Sequence, residues 1–227
     1  MSFSVFVLLA FWPSYFSHPL TQPHWRLHTH GIAMSLWVVM LITQAYLIRT
    51  GRKSLHRSVG KASYALVPLV FLATLNLVHF SLKGQGTGNA TLYFLALMLN
   101  GVFAFVVLFG LAMYNRRDSV SHARYMVCTI FPLFTPVTDR LIFAHFPDLI
   151  QIVPVLDGTP LVQVLGFLLA DVLLLTLIFW DRRSKRQTQA FAFALTVLLI
   201  YHASVLTFYK LSAWKSFAVW FASLPLS

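Results

Sequence analysis

Glutamate is absent from the 227 residues, cysteine occurs once, and charged residues of every kind make up only 10%. Each shortage excludes something. A single cysteine, Cys128, permits neither an intrachain disulfide nor a thiolate metal cage; inside an apolar run it is expected to pack as a small hydrophobe. A soluble domain carries about a quarter charged residues, so this chain lacks the polar surface needed to sit in water. No Gly/Ser linker, internal repeat or soluble domain interrupts it, and residues 1–227 are expected to form a single transmembrane domain. Gly84-Gln85-Gly86-Thr87-Gly88 is glycine-rich, but it joins two apolar runs and lacks the strand–loop–helix setting of a phosphate loop.

What the chain does have is apolar length. Hydrophobic residues fill 58% of the positions, in runs that reach the roughly 20 residues a helix needs to cross hydrocarbon. Backbone groups in a bilayer must pair internally, which leaves helices or a closed barrel. The runs are continuous rather than alternating, which excludes the barrel. The expected fold is therefore all-α: an integral membrane helical bundle of about seven transmembrane helices, at 3–17, 31–48, 61–82, 91–114, 123–145, 161–180 and 189–209. The first run is short, tilted or interfacial, and without a basic leader it is a poor signal peptide. Trp214, Trp220 and Phe221 mark the tail as an interfacial segment.

The formal charge of +11 does not indicate nucleic acid, because the basic residues lie in short clusters between apolar runs. Arg49, Arg52, Lys53, Arg57 and Lys61 form one cluster, Arg116, Arg117 and Arg124 a second, and Arg182, Arg183, Lys185 and Arg186 a third. Twelve of the seventeen basic residues thus occupy alternate connections, which the positive-inside rule places in the cytoplasm, beside anionic lipid headgroups. With seven spans the N-terminus is cytoplasmic and the C-terminus outside. The expected location is the bacterial inner membrane, crossed several times.

That topology sorts the nine histidines. His18, His24, His28 and His30 precede the second span on the outer side; His79 and His145 end spans at the outer boundary; His202 lies in the outer third of the last span. Only His56 and His122 belong to the cytoplasmic side. Imidazole is the common ligand of haem iron, copper and zinc, and bundles usually hold cofactors with side chains from several helices. His28, His30, His79, His145 and His202 are the candidate metal ligands. His24 and His28 share a helical face, as do His30, Trp37 and Gln44, while Asn76 and His79 are neighbours. Interfacial histidines that satisfy themselves on a backbone carbonyl are the alternative.

Charges at bilayer depth raise a functional hypothesis. Asp139 and Arg140 fall in the fifth span with Pro132 and Pro136, which should kink it, and Asp171 lies near the centre of the sixth. Asp139 and Asp171 are the candidates for a polar track serving a proton or a quinone headgroup. Arg140 either pairs a haem propionate or snorkels to the interface.

Three segments carry a resemblance: His28-Thr29-His30-Gly31, Ser54-Leu55-His56-Arg57-Ser58-Val59-Gly60-Lys61 in a basic loop, and Ser121-His122-Ala123-Arg124-Tyr125-Met126. Across about residues 24–145 the chain resembles a group of small, uncharacterised bacterial polytopic membrane proteins, which look like distant relatives of diheme transmembrane cytochromes of the b type. The resemblance implies haem b, with His30 and His79 as outer ligands and His56 and His122 as inner ones.

Three functions compete. One is a membrane redox protein with b-type haem near the outer face, exchanging electrons with quinone. Another is a histidine copper or zinc site, which neutral imidazoles suit. The third is an accessory or assembly subunit of a larger membrane complex, with lipid and other helices as partners. A transporter ranks last, because no inverted repeat is present.

Overall fold

A computed structural model describes residues 2–17, 24–183 and 188–226. Apart from one two-stranded hairpin, its regular structure is helical. Six helices are long and apolar enough to cross a membrane: Trp25–Arg49, Lys53–Leu82, Asn89–Tyr114, Ser119–His145, Gln163–Arg182 and Ala190–Lys210. The chain is a multi-pass membrane protein. The first apolar run, Val5–Phe16, is shorter than these six. His18 and the basic residues Lys185 and Arg186 lie outside the described residues.

The chain separates into two compact units, residues 1–81 with 225–227, and residues 82–224. In the first, α1 (Ser2–Phe11) runs on as a π-helical turn, Trp12–Phe16, at the Pro13 position. Helix α2 (Trp25–Arg49) starts six residues before the apolar run does, so His28 and His30 lie inside it. It ends in a Schellman closure: Gly51 takes φ 72°, its N–H bonds Ile48 O at 3.1 Å, and Arg52 N–H bonds Leu47 O at 2.8 Å.

The basic segment around His56, expected to be a loop, is a helix, α3 (Lys53–Gly60). Its carbonyls and amides pair locally, and it docks on α2 through Gln44. With the amide of Gln44 oriented to satisfy its neighbours, the nitrogen donates to His56 Nδ1 and the oxygen accepts from Gly60 N–H at 3.1 Å. Helix α4 (Ser63–Leu82) follows and runs antiparallel to α2, with His24 against Phe80 and His30 against Thr74.

The second unit is built on α5 (Asn89–Tyr114). α6 (Ser119–Cys128) and α7 (Phe134–His145) make one crossing, broken by the 3-10 turn Phe131–Leu133; Pro132 and Pro136 remove two backbone donors around this break, which weakens the α-helical ladder there. α8 (Gln163–Arg182), α9 (Ala190–Thr207) and the short α10 (Ser212–Ser223) complete it. Small residues let the helices close up, which matters where lipid gives no hydrophobic drive between helices. A Cβ on Gly166 would lie 2.5 Å from Thr138 Oγ1 and 3.3 Å from Thr135 Cα, so α8 sits directly on α7. Cys128 is fully buried in the apolar core with Leu108, Leu174 and Leu198.

Both ends of this unit are tied. At one end, strands β1 (Val155–Leu156) and β2 (Thr159–Pro160) are joined by Asp157 and Gly158 at φ 49° and 78°, the type I′ turn an Asp-Gly pair favours. The Asp157 carboxylate then caps α5, accepting from Asn89 N–H at 2.9 Å and Ala90 N–H at 3.4 Å, while the Trp214 indole donates to Leu92 O at 3.0 Å. At the basic end, Arg124 pairs with Asp181 and donates to Thr188 Oγ1 at 3.0 Å. Asp118 caps α6 on Val120 and Ser121 N–H; its bond with the Ser121 side chain holds this carboxyl below the usual carboxylate range.

Candidate functional site

Helix α8 carries Gln163, Phe167 and Asp171 four residues apart, and therefore on one face. All three reach polar or aromatic partners inside the second unit. Asp171, near the middle of α8, has Oδ2 3.3 Å from His202 Nδ1 on α9. The imidazole lies flat on Phe167, with ring centroids 4.1 Å apart and planes inclined by 24°, and Tyr201 meets the same phenyl ring edge-on at 5.6 Å. The His202 side chain is 8% exposed and that of Asp171 22%. With Asp171 ionised, Nδ1–H donates to the carboxylate and Nε2 is left as a proton acceptor. The other carboxylate oxygen, Oδ1, is buried without a hydrogen-bond partner.

A second half-buried carboxylate stands one helix away. Asp139 on α7 accepts from Gln163 Nε2 at 2.7 Å, and Gln163 Oε1 accepts from the Tyr93 hydroxyl at 3.4 Å. The Asp139 Oδ1 atom is buried and unbonded. Tyr201 donates to Leu97 O at 3.2 Å, and Asn100 donates to Ser204 Oγ at 2.8 Å. Polar contacts thus run from α7 through α8 to α9 and α5 in the core of one unit. Arg140, the next residue along, is exposed and donates to Pro136 O of its own helix at 2.9 Å.

The remaining candidate ligands lie elsewhere. In the second unit His145 is exposed at the end of α7 beside Phe146, and His122 Nδ1 bonds Ala112 O at 2.8 Å at the basic end. In the first unit His28 Nδ1 meets the Tyr15 hydroxyl at 3.1 Å and His30 Nδ1 meets Thr74 Oγ1 at 3.2 Å. His79 is fully buried; five residues beyond Thr74, it leaves α4 about 140° around the helix from the side that faces His30. Among the described residues no three His, Cys, Asp or Glu side chains gather to hold a metal ion.

No family model, curated protein or solved structure matches this chain. Of the sequence candidates, Asp171 and His202 are brought together, and Asp139 gains Gln163. Phe167, Gln163, Tyr93 and Tyr201 were not singled out by the sequence. The spacing of Gln163, Phe167 and Asp171 was the available signal; Tyr93 and Tyr201 gave none, because an aromatic in an apolar helix looks like any other core residue.

His28, His30, His122 and His202 share one feature: each engages a protein oxygen through Nδ1. A bond from one ring nitrogen to a protein oxygen is how metal-ligating imidazoles are commonly oriented. The donor chemistry therefore fits Nε2 ligation at single imidazoles.

Proposed function

We propose that this chain is a redox protein of the bacterial cytoplasmic membrane in which Asp171 and His202 handle the protons that accompany electron transfer. The observation that carries this reading is the carboxylate–imidazole pair set within two membrane-spanning helices, Asp171 near the middle of α8 and His202 about two-thirds of the way along α9. Ionisable groups at that depth are retained for a task, with proton relay foremost among the candidates. The pair can take a proton on His202 Nε2 while Nδ1–H stays bonded to Asp171, so the positive charge formed faces a carboxylate at once. Phe167 and Leu198 shield it from water.

The cofactor class proposed with it is b-type haem, which supplies one-electron chemistry when bound. His30, on the outer side, and His122, on the cytoplasmic side, are each proposed to ligate a haem of their own, because each ring is oriented through Nδ1 by a protein oxygen, as ligating imidazoles commonly are. Thr74 and Ala112 fix ring orientation in this arrangement.

A reduced-minus-oxidised absorption spectrum of protein purified after expression with ample haem supply tests it. A b-type band that is diminished in His30→Ala and in His122→Ala, and lost when both are replaced, is expected. A flat difference spectrum from folded wild-type protein contradicts the haem assignment.

A further inference from the structure

The Asp171–His202 pair sits at the edge of the apolar core rather than in its centre. On α8, Asp171 has buried Phe167 and Leu174 on one flank and exposed Leu168 (61%) and Leu175 (54%) on the other. On α9, His202 has buried Leu198 and Val205 on one flank and exposed Leu199 (49%) and Leu206 (37%) on the other. These leucines lie three or four residues from the polar pair, within one turn of it. The pair therefore lies at the bottom of the seam between α8 and α9, and the rim of that seam is four leucines.

These two stretches lie within membrane-spanning helices, so the surroundings of the seam are acyl chains rather than water. A ligand that reaches it must dissolve in hydrocarbon yet carry a headgroup that hydrogen-bonds. It must also accept a hydrogen bond in one state and donate one in another, because Nε2 is a donor when protonated and an acceptor when not. Phe167 already covers one face of the imidazole, so the headgroup meets the ring edge rather than stacking on it.

We propose that the α8–α9 seam is a lateral binding site for a quinone or quinol, with its headgroup oxygen bonded to His202 Nε2 and its isoprenoid tail among Leu168, Leu175, Leu199 and Leu206. Quinone carbonyl and quinol hydroxyl are the acceptor and donor states of one atom, matching the two states of Nε2. This deepens the proton-handling reading and rests on it, but it does not require haem.

The test uses the full chain in lipid nanodiscs and an azido-substituted short-chain ubiquinone as photolabel, with decylubiquinone as competitor and peptide mapping as readout. Saturable labelling within 164–180 and 196–210, displaced by the competitor, is expected. Leu199→Trp fills the seam without touching either polar residue and should lower labelling by about tenfold; His202→Gln, which loses the ring, should do the same. Labelling that is unsaturable, spread evenly over all the lipid-facing helices, or unchanged in Leu199→Trp overturns the site. A missing haem band with saturable labelling removes the haem assignment and leaves the seam standing; a haem band without labelling does the reverse.

Discussion

Replacing either member of the Asp171–His202 pair has different consequences, because the partner left behind differs. His202→Ala leaves both oxygens of Asp171 without a bond, and about 1–2 kcal/mol of stability should be lost, read as a lower unfolding temperature in detergent. Asp171→Asn keeps an acceptor facing Nδ1 and should unfold close to wild type while losing the proton function. Equal destabilisation by both substitutions would argue for a packing role. Asp139 is comparable: Gln163→Leu should unfold earlier than wild type because it removes the donor to a carboxylate whose other oxygen is buried.

Elements succeed or fail here on termini and on close approach. Gly166→Leu places a side chain where Thr135 and Thr138 already stand; α7 and α8 must separate, and expression of folded protein should drop sharply in a fluorescence-based size-exclusion profile. Asp157→Ala removes the cap on α5 and should cost about 1 kcal/mol. The Asp118 cap makes a pH prediction. Its folded-state carboxyl is held below the ordinary value by the Ser121 side chain, so its support for α6 is complete above the unfolded-state value and is lost as pH falls through the folded one. Faster hydrogen exchange at Val120 and Ser121 in acid, absent at neutral pH and absent in the trend of Asp118→Ala, is the expected signature.

Across the molecule, apolar length foretold seven runs, six of which are helices long and apolar enough to span among the described residues while Val5–Phe16 is shorter, because each must close its own backbone bonds in hydrocarbon. Their starts were less legible: α2 begins in the amphipathic run from Trp25, which hydropathy alone does not mark as helical, and α3 is too basic to stand out from a loop. The histidine count suggested a cofactor, yet counting cannot say which ring meets which oxygen; Thr74, Tyr15 and Ala112 became visible as partners only with the helices packed. Asp171, like Asp139, is legible because a carboxylate is conspicuous amid leucines, while its partner His202 is one candidate ligand among five histidines. The alternation of basic connections predicts that a reporter fused within 49–61 is cytoplasmic and one fused at 84–88 is periplasmic.

The most direct measurement is the redox midpoint potential of the nanodisc-embedded protein as a function of pH. Proton handling by Asp171 and His202 predicts a slope approaching about 59 mV per pH unit, one proton per electron, and a flattened slope in Asp171→Asn. A midpoint that does not move with pH, or a slope that survives unchanged in Asp171→Asn, contradicts it.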